Sequence, residues 1–204
     1  MKPNLYQGKF VVFEGLNGSG KSEQARLLKE HFDKRGRSAF LTKEPTQWTQ
    51  AGQKIKEVLA GKISLAPLQL QELFAQDRAE HLRQEILPVL QRGEIVISDR
   101  YAFSSMAFGA LEVRLRALFK LNEDFICPNK IFLLCVSPEE CLRRINKRGT
   151  DIRIFEELEK MRRIADNYER LAQFEPFEKF FVVINGERSI EEIHQEIVSC
   201  LKLR

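Results

Sequence analysis

Five short apolar runs, at residues 10–13, 39–41, 95–97, 131–136 and 180–184, punctuate the chain and are separated by long charged stretches of helical spacing. Continuous rather than alternating apolar runs suit strands covered on both faces, and long helical connections suit parallel pairing. The rhythm predicts an α/β fold, a parallel sheet with helices on both faces. At 204 residues, one domain over 1–204 with a substantial core is expected. Ser137-Pro138-Glu139-Glu140 combines an N-cap, a first-turn proline and acids at the positive helix end, and Ser189-Ile190-Glu191-Glu192 is a second helix start.

The first run leads into Gly15-Leu16-Asn17-Gly18-Ser19-Gly20-Lys21-Ser22, which fits G-x-x-x-x-G-K-[ST], and a helical pattern with Ala25, Leu28 and Phe32 on one face follows. Glycines let the backbone turn its N–H groups and the helix N-terminus toward phosphate oxygens. The expected fold is therefore a P-loop NTPase in which Gly15, Asn17, Gly18, Ser19 and Gly20 cradle a nucleoside triphosphate. Lys21 would reach the β- and γ-phosphates, and the Ser22 hydroxyl would ligate Mg²⁺. A glycine-rich turn before an ordinary helix is disfavoured, because strand, loop and helix stand in the order that the motif requires.

Ligands of open α/β sheets sit at the carboxyl ends of the strands, which directs attention to residues 14–22, 42–48, 98–108 and 185–188. Asp99, at the end of the third run, can hold Mg²⁺ through its water shell or orient an acceptor, and Arg100 offers a planar fork to a second phosphate. A surface Asp–Arg pair is the weaker reading. Phe74 and Arg78 stand one helical turn apart and can present a ring and a two-pronged donor to one planar base. Taken singly, Phe74 is more often core and Arg78 more often a solvated charge. Arg143, Arg144, Lys147, Arg148 and Arg153 flank Gly149, with Asp151 the sole acid in that stretch. Phosphoryl transfer needs cations that close over the donor, so residues 147–156 read as a small mobile lid carrying Arg148 and Arg153. Arg143 and Arg144 suit the close of the preceding helix.

A formal net charge of +4 suits small anionic substrates and falls short of the concentrated basic face of a nucleic-acid binder. Cys127, Cys135, Cys141 and Cys200 show no C-x-x-C spacing and read as buried free thiols. No apolar run approaches the ~18 residues of a membrane span. Met1-Lys2-Pro3-Asn4 lacks a signal-peptide pattern, so the expected location is the cytoplasm, without a membrane partner.

Together these stretches resemble the thymidylate kinase family, which uses ATP and Mg²⁺ to convert dTMP to dTDP. The resemblance runs from Phe13-Glu14-Gly15 and the phosphate loop through Thr42-Lys43-Glu44-Pro45, Phe74-Ala75-Gln76-Asp77-Arg78-Ala79 and Asp99-Arg100-Tyr101-Ala102-Phe103-Ser104-Ser105-Met106-Ala107-Phe108 to Phe155 and Tyr168. It implies five parallel strands, a homodimer, ATP as donor and a deoxynucleoside monophosphate, dTMP foremost, as acceptor. It also implies that Phe74 stacks on thymine, Arg78 bonds its carbonyl edge and Ser105 lies near the base. Arg100 would hold the acceptor phosphate, with Asp99 beside the metal and the attacking oxygen. Asn17, Lys43 and Pro45 would line the acceptor site, and Phe108, where the family usually has tyrosine, would obstruct a ribose 2'-hydroxyl. The loop interior, Leu16 to Ser19, holds no arginine, so the catalytic cation is expected from the lid, as Arg148 or Arg153.

The chain departs from the family pattern at Asn17, where an acid is common, at Lys43, where arginine is usual, at Thr46-Gln47-Trp48, and at Gly109, where many bacterial members have glutamine. A kinase of another nucleotide or of a deoxynucleoside is the nearest rival, although a nucleoside acceptor has less need of Lys43 and Arg100. A non-catalytic nucleotide-binding module would have lost Lys21, Asp99 or the lid cations. A regulatory GTPase should show N-K-x-D, but Asn129-Lys130 is followed by Ile131-Phe132, and no L-S-G-G-Q-like transporter signature occurs.

Overall fold

The computed structural model describes residues 1–146 and 154–201. Each apolar run forms a strand: β1 (Lys9–Glu14), β2 (Ala39–Lys43), β3 (Ile95–Asp99), β4 (Lys130–Cys135) and β5 (Phe181–Asn185). All four pairings are parallel, and the sheet order is β2-β3-β1-β4-β5. β1 lies at the centre because its run Phe10 to Phe13 is buried on both sides. Alternation along it divides the core. Phe10 and Val12 pack with Val96, Ile131 and Leu133 beneath one helical layer. Val11 and Phe13 pack with Ile97, Phe132 and Leu134 beneath the other.

The second layer is α1 (Lys21–Asp33) and α9 (Ile190–Cys200), which contribute Leu28, Phe32, Ile193 and Ile197. On the first face lie α5 (Ala102–Gly109) and α8 (Ile154–Gln173), with a long helical rod. That rod starts as α3 (Pro67–His81), passes through a π-helical turn at Leu82–Ile86 and ends as α4 (Leu87–Gln91). Three further α-helices, α2 (Gln50–Leu59), α6 (Leu115–Asn122) and α7 (Pro138–Asn146), and a 3-10 turn at Glu178–Phe180 complete the described elements, so the expected five-stranded α/β architecture with helices on both faces is observed.

The helix starts follow their capping residues. Ser189 and Glu192 form a reciprocal capping box at the start of α9, and α7 begins at Pro138 directly after Ser137. The cysteines correct one expectation. Cys127 and Cys141 are buried, but Cys135 and Cys200 are only half-buried, because one ends β4 at the sheet margin and the other ends α9. No helix among the described residues is long and apolar enough to cross a membrane.

Candidate active site

Parallel register builds the site at one edge of the sheet. It sets Lys43 of β2 level with Asp99 of β3, and Asp99 level with Phe13 of β1. The phosphate loop leaves β1 at that edge. Gly15 and Gly18 adopt φ of 139° and 84°, and a Cβ on either would stand 2.7 Å from a backbone oxygen, of Leu134 and Cys141 respectively. Only glycine fits both the conformation and the space. Lys21 opens α1 and is buried, its Nζ donating to Leu16 O at 2.7 Å and to Ser19 Oγ at 3.3 Å. Burial, reinforced by the nearby Arg100 cation, lowers its ammonium pKa to about 7.

The Ser22 hydroxyl donates to Asp99 Oδ2, while Asp99 Oδ1 is buried without a hydrogen-bond partner among the described residues. A hydroxyl beside an unsatisfied carboxylate oxygen is a hard-oxygen donor set, so these two residues fit Mg²⁺. Among the described residues no group of three or more His, Cys, Asp or Glu side chains could hold a metal. A cation here would therefore draw most of its coordination from water and substrate phosphates.

Arg100 ties this loop to the neighbouring cavity. It is the one non-glycine residue at positive φ among the described residues, at 76°, a strained conformation that needs support from its surroundings. Its Nη1 donates to Gly15 O at 3.1 Å and Ser104 Oγ at 2.8 Å, and its Nη2 to Asn17 Oδ1 at 2.6 Å. The guanidinium carbon also lies 5.1 Å from the centre of the Phe108 ring. Glu14 anchors the same turn from below: its buried carboxylate accepts from Tyr101 N at 3.0 Å, Ser104 N at 3.1 Å and Tyr168 Oη at 3.0 Å. Burial raises the Glu14 pKa, against the lowering effect of Arg100.

Beside the loop opens a cavity of about 250 Å³ whose lining includes Asn17, Pro45, Phe74, Arg78, Arg100, Ser105 and Phe108. Helix α3 supplies one wall because Gln71, Phe74 and Arg78, three and four residues apart, share a face. Arg78 is fully buried and triply held: Nε donates to Glu44 Oε2 at 2.8 Å, Nη1 to Asn122 Oδ1 at 2.5 Å and Nη2 to Ser105 Oγ at 2.9 Å. The adjacent face of α3 fixes the loop after β2. Asp77 accepts from Thr46 N at 2.9 Å, Thr46 Oγ1 at 2.5 Å and Thr49 Oγ1. Phe74 and Arg78 are therefore not a core ring and a solvated charge but two walls of one cavity.

Lys43 lies apart from this group. It is exposed and lines a separate groove of about 540 Å³ with Ser22, Trp48 and Asp99. Arg148 and Arg153, with residues 147–153 of the expected lid, lie outside the described residues, and its last three residues, 154–156, begin α8. Arg143 and Arg144 both pair with Glu140, at 2.5 Å and 2.7 Å, and Arg144 also donates to Gly186 O at 3.1 Å. Gln71, Asn122 and Ser104 were not singled out by their own sequence signal. A turn-by-turn search of the Phe74–Arg78 helix face would have found Gln71, whereas Asn122 gives no local sign of its role.

A family model described as "Thymidylate kinase" matches residues 13–197. The "Probable thymidylate kinase" of Pyrococcus abyssi is 40% identical over 204 residues, covering 96% of this chain and 97% of its own. That of Methanocaldococcus jannaschii is 36% identical over 200 residues, covering 97% and 98%. The "Thymidylate kinase" of a Thermoanaerobacter species is 29% identical over 202 residues, covering 96% and 98%. A match over nearly the whole length, on a five-stranded parallel sheet whose phosphate loop adjoins a base-sized cavity, shows that the chain belongs to the thymidylate kinase family.

Proposed function

We propose that the protein transfers the γ-phosphoryl group of ATP to dTMP, giving dTDP and ADP, with Mg²⁺ as cofactor. The observation that carries this reading is Arg100, which lines the cavity of Phe74 and Arg78 and at the same time reaches Gly15 and Asn17 of the phosphate loop. A cation so placed suits an acceptor that carries its own phosphate. In this reading Phe74 stacks on thymine, Arg78 and Ser105 meet a base carbonyl, Phe108 obstructs a ribose 2'-hydroxyl, and Asn17 and Pro45 bound the sugar and phosphate. Lys43 approaches the acceptor phosphate from the adjoining groove.

Residues 15–22 hold the donor. An acceptor phosphate oxygen attacks the γ-phosphorus in line; a new P–O bond forms as the bridging P–O bond to ADP breaks, and no covalent enzyme intermediate is needed. Lys21 and one lid arginine, Arg148 or Arg153, stabilise charge on the transferring oxygens. Ser22 and, through a water shell, Asp99 would hold Mg²⁺, which would supply neutralising charge for the donor phosphates. The chain would act as one domain, 1–204, with a lid at about 147–156, as a homodimer in the cytoplasm. The test is ADP release with dTMP, dUMP, dCMP, dGMP, UMP, AMP and thymidine under identical conditions. The reading requires dTMP to be the best acceptor; activity with thymidine alone, or no turnover with any acceptor, contradicts it.

A further inference from the structure

One turn before Phe74 on α3, Gln71 is 7% exposed and lines the acceptor cavity. Its Oε1 is buried and has no hydrogen-bond partner among the described residues. Such an atom is costly to keep unless something completes it. Three other side-chain atoms share that condition, in Gln24, Asp99 and His194, and none of those residues lines this cavity. Gly109 makes the placement possible. A Cβ there would stand 2.8 Å from Gln71 Cδ and 3.0 Å from its Oε1, so the carboxamide fills volume that only glycine leaves open. The wall thus carries two opposite chemistries two turns apart on one face of α3, on either side of Phe74: a guanidinium that can only donate, at Arg78, and an unsatisfied acceptor at Gln71.

We propose that Gln71 Oε1 accepts the N3–H of the acceptor base and so selects a keto pyrimidine over cytosine. The proposal rests on the reading of this cavity as the dTMP site. Thymine and uracil present a carbonyl, an N–H and a second carbonyl along one edge. A carbonyl can meet Arg78 while the N–H meets Oε1. Cytosine reverses part of that pattern: its N3 lone pair would face the Gln71 oxygen and its amino group would face the guanidinium donors. A site built around a hydrogen bond rejects the ligand that cannot make it, because its own polar group is then stranded.

The experiment compares kcat/KM for dTMP with that for the analogue in which C–H replaces N3–H, in the wild type, Gln71→Leu and Gln71→Met. Both substitutions keep the side-chain volume, and thermal melting checks that each variant is folded. The wild type should prefer dTMP by roughly ten- to hundredfold. In both variants the preference should fall to about twofold or less, with the KM for ATP unchanged. Equal use of the two acceptors by the wild type, or an undiminished preference in the folded variants, overturns the role of Gln71 while leaving dTMP as the substrate. A wild type that does not turn over dTMP at all overturns both.

Discussion

The two halves of the site are built by different means. The donor half is one continuous segment, residues 14–22, shaped by backbone: three glycines at positive φ and a buried lysine held by Leu16 O. The acceptor half is assembled from separate elements, with Arg78 of α3 fastened to Glu44, Ser105 and Asn122 across 34, 27 and 44 residues of chain. In the proposed reading, donor binding depends on a local motif, whereas acceptor recognition depends on the packing of α3 against the loop after β2, α5 and α6. Arg100 lines the cavity and bonds Gly15 and Asn17 of the loop, so it joins the two halves.

That contrast can be broken one half at a time. Lys21→Ala should cost the most, lowering turnover by roughly 10²–10³-fold or more in a steady-state ADP-release assay. Next, Arg78→Leu should weaken dTMP binding by about two orders of magnitude by calorimetry. It should also lower stability by about 3–5 kcal/mol in urea melts, because Glu44 is left buried without its cation. A wild-type melting curve would show that the acceptor wall is not structurally coupled as described. Gly109→Ala presses a methyl group onto the Gln71 carboxamide, so kcat/KM for dTMP should fall several-fold with the KM for ATP unchanged. A matching loss on the ATP side would mean that the halves are not separable.

The smallest effect is chemical. Burial pushes the Cys127 and Cys141 thiols up to about 12 and about 11. Both raised values lie far above neutral pH, so the reactive thiolate is scarce at pH 7 and gains population only as the medium approaches them. Alkylation of the native protein at pH 7 should spare both residues, and mass spectrometry should find them modified only after unfolding. Cys141 lies beneath the loop, its carbonyl against Gly18, so its labelling in the native state would show that the donor half opens on its own.

What could be read from the chain follows the same division. β1, the loop and α1 are contiguous, and each glycine in the motif has positive φ, so the local fold is legible there. The five apolar runs located all five strands for a similar reason, since a strand covered on both faces needs an unbroken apolar run. Phe74 and Arg78 were visible as a spacing. The orientation of Arg78 was not, because it depends on Glu44, Ser105 and Asn122, which come near only in the folded chain. Gln71 resembles a solvated helix residue until Gly109 is seen to face it. Lys43 was placed with the acceptor by resemblance, and the structure sets it in a neighbouring groove because β2 is the edge strand beyond Asp99.

Equilibrium binding of dTMP to Lys21→Ala tests most directly whether the lysine of the local donor motif can be removed without disturbing the assembled acceptor cavity. A Kd within about threefold of the wild type is expected in a protein whose ADP release has fallen by roughly 10²-fold or more. A tenfold or greater weakening of dTMP binding, about 1.4 kcal/mol, would contradict it.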